Sequence, residues 1–260
     1  MATLIAVYST RAGQTSTYWA TSLAWTLAES RRVMLVDADM EGGTIADLLY
    51  LRVEDRSLGN CFGDRPAAPQ ELDEQSLAAL RLKAEDMKEW PLYLDDSSFL
   101  TINQLRGKAR RMKDRFGIEL LVIDYLQLLH SESDQAKDNR QNEVAEISRG
   151  IKALAKELSI PIIILAQLNR RSEEAKAEPA LHNLRESGAI EQDADVVLLL
   201  HRNEPDKDED GNATPSGPVI PYKLNIAKQR NGPTDKLDIL FHAPYTRFDD
   251  PVRHEARSKT

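Results

Sequence analysis

The run LLVIDYLQLL occupies residues 120–129, and its first five residues decide the fold class. Residues 120–123 are consecutive branched apolar side chains with no polar alternation. That pattern predicts a strand buried on both faces, as in a parallel sheet covered by helices. Asp124 then lies at the carboxyl end of the strand, where open α/β sheets bind their ligands. It either holds Mg²⁺ beside the phosphates of a nucleotide or simply closes the strand as a turn residue.

Apolar runs of the same kind recur along the chain, separated by stretches with helical periodicity. Strands are predicted at 4–8, 33–36, 92–94, 120–123, 162–166, 196–200, 222–227 and 237–241. Helices are predicted over 18–29, after a capping box formed by Thr101 and Gln104, and over 144–158. This alternation predicts an α/β fold with a mostly parallel central sheet flanked by helices, and the acidic strand ends favour a phosphate-binding member of that class.

Composition excludes several classes of protein. The 260 residues are 41% hydrophobic and 29% charged, which is ordinary for one large or two small globular domains. The single cysteine, Cys61, excludes an internal disulfide and a cysteine metal cluster. This cysteine usage predicts a reducing cytoplasm as the setting, and no apolar run approaches the length of a membrane span.

The net charge of −8 gives no global reason to bind nucleic acid, so any such contact must be local. One local candidate is the outer face of the helix predicted after Thr101. Its basic residues are Arg106, Lys108, Arg110, Arg111, Lys113 and Arg115. This basic face either contacts phosphates or is only solvated.

Several long segments after residue 91 resemble the motor domain of the replicative hexameric DNA helicases of the DnaB family. They are PLYLDD at 91–96, LTINQLRGKARRMK at 100–113, LLVIDYLQLL at 120–129, EISRGIKALAKEL at 146–158, IPIIILAQLNRR at 160–171, LRESGAIEQDADVVLLLHR at 184–202 and KQRNGPT at 228–234. The resemblance covers residues 91–250 and implies a RecA-like P-loop ATPase core. It also implies ATP-driven movement along single-stranded DNA, and either a homo-oligomeric, hexamer-like ring or association with another helicase.

The resemblance also assigns roles to individual residues of this chain. Asp124 matches the aspartate that positions Mg²⁺, and Gln167 matches the polar sensor that couples the γ-phosphate to the DNA loops. The loop that grips the DNA backbone corresponds to Arg185, Glu186 and Gly188, through an arginine side chain and main-chain N–H groups. Lys228 and Arg230 match the finger residues, which reach the nucleotide of the neighbouring subunit.

The amino-terminal portion, residues 1–52, is more similar to the ParA/MinD partitioning ATPases, in RAGQTSTYWATSLAW at 11–25 and RRVMLVDADMEGG at 31–43. Both families need a lysine in the phosphate loop, and Ser16 stands in its place. A hydroxyl does not neutralise the β- and γ-phosphates, and Thr15 adds a Cβ where glycine lets the backbone approach. The candidate nucleotide-binding residues are Arg11, Gly13, Thr15, Ser16 and Thr17, of which Thr17 keeps the hydroxyl that binds Mg²⁺.

In the helicase alignment, Asp39 falls where a catalytic glutamate ends the second strand, and its side chain is one methylene shorter. The alternative is that Asp37 and Asp39 only cap a turn. We therefore expect one RecA-like domain over residues 1–260 whose ATP hydrolysis is weakened or lost. A partitioning-type ATPase and a non-catalytic protein that joins a helicase ring are the alternatives. No segment matches the family's primase-interacting domain or linker helix, so a monomer or weak oligomer is expected alone.

Overall fold

A computed structural model describes residues 3–9, 23–24, 26–28, 30–37, 90–95, 97, 100–131, 140–167, 188–202, 217–242 and 247–251. Its strands are β1 Leu4–Ser9, β2 Val33–Asp37, β3 Leu92–Asp95, β4 Leu120–Asp124, β5 Ile162–Gln167, β6 Val196–Arg202, β7 Val219–Gln229, β8 Asp235–His242 and β9 Arg247–Asp249. Its helices are α1 Ile102–Phe116, α2 Arg140–Leu158 and α3 Gly188–Asp193, with a 3₁₀ turn over Leu126–Leu128. Residues 23, 24 and 26–28 are also helical.

The strands form one sheet in the order β3-β2-β4-β5-β1-β6-β7-β8-β9. The pairs from β3 through β6 are all parallel, and the pairs from β6 through β9 are antiparallel. The mostly parallel central sheet predicted from the sequence is therefore confirmed. Strands from both the amino-terminal portion and the helicase-like portion belong to it, because β1 lies between β5 and β6.

Burial on both faces explains the apolar runs. Every residue of β4 is buried. Its alternate side chains enter two separate cores, with Leu121 and Ile123 in one and Leu120 and Val122 in the other. The first core also contains residues of α1, α2 and α3, whereas the second contains Ala24 and Ala28 of the helical segment after β1. The sheet is thus the middle layer of three, as a continuous apolar strand requires.

Helix α1 begins and ends where local sequence predicts. The Thr101 side chain accepts a hydrogen bond from the N–H of Gln104 at 3.3 Å, and the Gln104 side chain accepts from the N–H of Thr101 at 3.0 Å. This reciprocal capping box satisfies two backbone donors that the first turn leaves unpaired. Gly117 ends the helix in the left-handed conformation, with φ of 64°.

Three of the six basic residues on the outer face of α1 form ion pairs with two carboxylates of other segments. Arg106 and Arg110 both pair with Glu157 of α2. Lys108 pairs with Asp95 at 2.7 Å, and Lys113 donates to the carbonyl of Ile118 at 2.9 Å. These contacts attach α1 to its neighbours and leave less positive charge for a phosphate backbone than the sequence alone indicates. Within the described part of the chain, every helix is too short or too polar to cross a bilayer.

Candidate nucleotide site and the opposite sheet edge

The carboxyl ends of four parallel strands meet at one edge of the sheet. Asp37 at the end of β2 is the register partner of Asp124 at the end of β4. Ser9 at the end of β1 is likewise the partner of Gln167 at the end of β5. In the register of β4 and β5, Ile123 pairs with Ile164, so Gln167 and Ser9 lie about two residues beyond the level of Asp124 at the same edge. Asp124 and Gln167, two of the residues predicted at a nucleotide site, end their strands at this edge.

Asp124 has no solvent-exposed surface, although it is the last residue of its strand. The peptide bond that joins it to Tyr125 is cis. The described residues contain no group of three or more His, Cys, Asp or Glu side chains able to hold a metal ion by themselves. The carboxylate of Asp124 at this edge fits Mg²⁺ that takes its remaining ligands from phosphate oxygens, a hydroxyl and water. The donor set is therefore compatible with a Mg·ATP site.

Several candidate residues lie outside the described residues: Arg11, Gly13, Thr15, Ser16, Thr17, Asp39, Arg185 and Glu186. Their roles remain predictions. The structure does describe the elements that lie next to them in the sequence. Residue 10 directly follows β1, and Asp39 comes two residues after β2. Gly188 is the first residue of α3, and the segment containing Arg185 and Glu186 precedes it.

A buried glutamate joins the two ends of the segment that follows the 3₁₀ turn. Glu143, in the first turn of α2, accepts a hydrogen bond from the N–H of Ser131 at 3.1 Å. It also pairs with Arg140 and lies 3.6 Å from the Nδ1 atom of His130. Arg140 donates in addition to the carbonyl of Gln127. Because Ser131 and Arg140 flank residues 132–139, this arrangement, the Glu143 clamp, fixes both ends of that segment close to the Asp124 strand.

Lys228 and Arg230 lie at the opposite edge of the sheet. The end of β7 is paired with the start of β6, where Val196 is the register partner of Gln229. The N–H of Arg230 donates to the carbonyl of Asp195 at 2.9 Å, and the N–H of Asp195 donates to the carbonyl of Leu4 at 2.8 Å. Leu4 begins β1, so the finger residues are about 17 Å from Ser9 at the far end of that strand, at roughly 3.3 Å per residue.

Both finger residues contact the carboxyl end of α3. Lys228 donates to the carbonyl of Glu191 and, at 3.3 Å, to that of Gln192. Arg230 donates to the carbonyl of Gln192, and its guanidinium lies 3.5 Å from Asp195. The last carbonyls of a helix lack backbone partners and carry partial negative charge, which cations stabilise. Burial, followed by the nearby charge of Arg230, lowers the pKa of Lys228.

The acid beside Arg230 is a residue that the sequence analysis did not single out. Asp195 precedes β6 and accepts hydrogen bonds from the N–H of Leu4 at 2.8 Å and from the ammonium group of Lys152. Burial acts to raise the pKa of Asp195, but the hydrogen bonds from Lys152 and Leu4 outweigh it and lower the pKa. The sequence offered one indication of its importance: Asp195 lies within the segment at 184–202, directly before an apolar strand.

A family model described as the DnaB-like helicase C terminal domain matches residues 3–250. The chain belongs to this family. The match begins at residue 3 and so includes the amino-terminal segment; the similarity of that segment to partitioning ATPases remains an observation on its sequence. The resemblance to DnaB-type helicases and the RecA-like fold predicted from the sequence are confirmed.

Named relatives of this DnaB-like domain include two replicative DNA helicases. The DnaB protein of Leifsonia xyli subsp. xyli is 47% identical over 182 residues, which is 68% of this chain and 37% of that protein. The DnaB protein of Geobacillus stearothermophilus is 42% identical over 158 residues, which is 60% of this chain and 33% of that protein. The chain thus matches about a third of the length of these curated relatives.

Solved structures give the same result for the DnaB-like fold. One solved structure, described as an ATPase domain, superposes with a TM-score of 0.76 at 26% identity, covering 95% of this chain and 84% of that one. A DnaB-like replicative helicase, described with its interactions with primase, also superposes with a TM-score of 0.76. It is 27% identical, and the match covers 96% of this chain and 57% of that one.

Proposed function

We propose that this DnaB-like domain is the motor of a replicative DNA helicase, one RecA-like unit over residues 1–260 that uses ATP and Mg²⁺ to move along single-stranded DNA. The observation that carries the proposal is the separation of two sets of side chains. Asp124 lies at the carboxyl edge of the parallel strands, and Arg230 lies at the amino edge of the same sheet. One chain therefore presents two different parts of a nucleotide site on opposite edges.

At the carboxyl edge, Asp124 and Thr17 are the residues that would hold Mg²⁺, with Arg11, Gly13, Thr15 and Ser16 around the phosphates. Bound ATP supplies the phosphoryl group, and Mg²⁺ offsets its charge. Asp39 is the candidate for orienting water, and Gln167 is the candidate sensor of the terminal phosphate. Ser16 supplies no positive charge, so we propose that hydrolysis is weak compared with a loop that carries the lysine.

At the amino edge, Lys228 and Arg230 are too far from their own carboxyl edge to act on a nucleotide there. A head-to-tail arrangement of subunits brings them to the nucleotide of a neighbour, where they would neutralise charge that develops during phosphoryl transfer. Head-to-tail contacts that repeat with a closing rotation form a ring. The proposed assembly is a homo-oligomeric ring, a hexamer by analogy with the family, or association with another helicase.

Single-stranded DNA is the proposed track, and cytoplasm is the proposed location. Arg185 and the main-chain N–H groups of Glu186 and Gly188 would contact the phosphate backbone, which positions a strand without reading its sequence. The negative overall charge of the chain is consistent with a small, local DNA contact of this kind. The ion pairs of Arg106, Lys108 and Arg110 reduce the positive charge that α1 offers, which favours this loop over that helix as the DNA site.

A non-catalytic protein that joins a helicase ring is the second candidate, and Ser16 in the lysine position is the observation that favours it. The test measures the ATPase rate with and without single-stranded DNA, for the unsubstituted chain and for Arg185→Ala. A motor shows hydrolysis that DNA stimulates and that Arg185→Ala uncouples from DNA. Absence of hydrolysis at protein concentrations that support assembly, together with ATP-independent binding to a helicase ring, favours the second candidate.

A further inference from the structure

Three donors from different parts of the chain converge on one carboxylate. Asp195 accepts from the N–H of Leu4 and from Lys152 through its Oδ2 atom, and its Oδ1 atom faces Arg230 at 3.5 Å. The Asp195 and Lys152 side chains are each 14% exposed, whereas the Arg230 side chain is 47% exposed. Lys152 supplies a buried positive charge that balances Asp195. The contact with the half-exposed Arg230 is therefore not required for charge balance.

The contacts of Arg230 hold its guanidinium at the protein surface. One Nη atom faces Asp195, and the other donates to the carbonyl of Gln192. The backbone N–H of Arg230 is bonded to the carbonyl of Asp195, so side chain and main chain are attached to the same residue. The guanidinium of Arg230 is thus hydrogen-bonded on one side and exposed to solvent on the other. This arrangement preorganises it to bind a second anion.

We propose that Asp195 is a positioning residue for Arg230, which it holds ready for the nucleotide of the neighbouring subunit. This inference rests on the proposed function. The aspartate does not touch the reacting atoms and acts only through the guanidinium. Its bond to the N–H of Leu4 also attaches the finger to the start of β1, the strand whose other end leads into the subunit's own phosphate loop.

Asp195→Asn removes the negative charge and leaves only one acceptor oxygen on the side chain. The N–H of Leu4 and Lys152 both donate to Oδ2, so the amide oxygen should occupy that position. The amide then directs its NH₂ group at Arg230, which needs an acceptor, and the guanidinium loses its orientation. Displacement of a catalytic group by about 1 Å can reduce turnover by about 100-fold, so we expect kcat to fall by about 10- to 100-fold. The KM for ATP should change by less than about threefold, because binding of the nucleotide depends on the other edge.

Two further variants distinguish positioning from stability. Lys152→Met removes the buried ammonium and keeps the Asp195 contact to Arg230, so it should lower the melting temperature and retain most of kcat. Glu157→Gln is the matched control, because Glu157 lies on the same helix and pairs with two arginines, Arg106 and Arg110. It should leave kcat unchanged. Each chain is assayed with ATP and single-stranded DNA at concentrations that saturate assembly.

The decisive measurement mixes two impaired chains. Asp195→Asn has an intact nucleotide edge and a displaced finger, whereas Asp124→Asn has an intact finger and a defective nucleotide edge. Mixed assemblies should recover activity, since an intact finger from one chain meets an intact nucleotide edge of the other. A misfolded Asp195→Asn chain would gain nothing from the mixture.

Full activity in Asp195→Asn, or a loss that Asp124→Asn does not rescue, would overturn the positioning role while leaving the proposed motor intact. Loss of kcat in Lys152→Met equal to that in Asp195→Asn would overturn it too, because charge balance would then explain both. An unsubstituted chain that neither hydrolyses ATP nor assembles with it would refute the proposed function and this inference together.

Discussion

Asp37 and Asp124 are register partners at the carboxyl ends of the adjacent parallel strands β2 and β4. Their register places the two backbone positions side by side at the edge where the nucleotide is proposed to bind. Asp124 is fully buried there. The pair gives a direct test of the Mg²⁺ assignment.

We expect Asp124→Asn to weaken binding of ATP in the presence of Mg²⁺ by about 10- to 100-fold, because a contact to a charged group contributes about 1.5–3 kcal/mol. Binding of ATP in EDTA should be the same in both chains, since the carboxylate acts through the metal. Isothermal titration under both conditions measures the difference. Asp238→Asn, on the exposed face of β8, is the matched control. Equal weakening with and without Mg²⁺ would show that Asp124 has a structural role instead.

The phosphate loop gives the second prediction. Ser16→Lys combined with Thr15→Gly restores a point charge and a backbone that approaches the phosphates closely. Mg·ATP binding should tighten by about one to two decades, the equivalent of about 1.5–3 kcal/mol. Ser16→Ala removes only a hydroxyl and should change the affinity little. If titration shows the unsubstituted chain already binding in the low micromolar range, the interpretation of this loop as defective is wrong.

The sequence predicted the strands of the core and their directions well, because strands buried on both faces carry uninterrupted apolar runs. Leu120, Val122 and their neighbours in β4 illustrate this, since each residue enters one of two cores. The position of Asp124 at the carboxyl edge follows from the same pattern. Capping also predicted the start of α1, because the box of Thr101 and Gln104 is a local interaction.

Contacts between distant segments were not predictable in the same way. Asp195 and Leu4 are separated by 191 residues, and nothing local in either segment indicates their hydrogen bond. Short elements were also missed. Strand β9 has only three residues, and it is held by long-range packing of Phe248 against Tyr222 and Phe241. Such elements depend on tertiary contacts and carry too few residues to show a period.

Helix packing gives the third prediction. A Cβ placed on Gly150 of α2 would lie 2.6 Å from the Cγ1 atom of Ile102 of α1, which is too close for two carbon atoms. Gly150→Ala should therefore lower the free energy of unfolding by about 1–3 kcal/mol, because the two helices must move apart. Urea titration measures it.

Gly107→Ala is the matched control for this substitution. A Cβ at Gly107 meets only the flexible end of Arg111, at 3.6 Å, and Gly107 lies inside α1. Alanine there should stabilise the chain by about 0.5–1 kcal/mol, since it restricts the unfolded chain and favours the helix. Destabilisation by both substitutions would contradict the packing of α1 on α2.

The Glu143 clamp gives a prediction that depends on pH. Burial acts to raise the pKa of Glu143, but the hydrogen bonds from Ser131 and Arg140 outweigh it and hold the pKa below its ordinary value. A lowered carboxyl pKa adds stability above the ordinary glutamate pKa of about 4.3, and that stability is lost as the pH falls through the folded pKa. Protonation of Glu143 should therefore contribute to the loss of unfolding free energy at acidic pH.

Glu143→Gln should destabilise the chain by about 1–2 kcal/mol at pH 7, where its charged hydrogen bonds are intact, with Arg140 partly screened by solvent. The difference from the unsubstituted chain should shrink as the pH falls below about 4.3, because protonation removes the same charge. Urea titrations at pH 7 and pH 3 measure both values. Glu157→Gln, which breaks ion pairs to two exposed arginines, should have a smaller effect at pH 7. The destabilisation by Glu143→Gln could instead be the same at both pH values. The side chain would then contribute through its shape and neutral hydrogen bonds, and its charge would not hold residues 131 and 140 together.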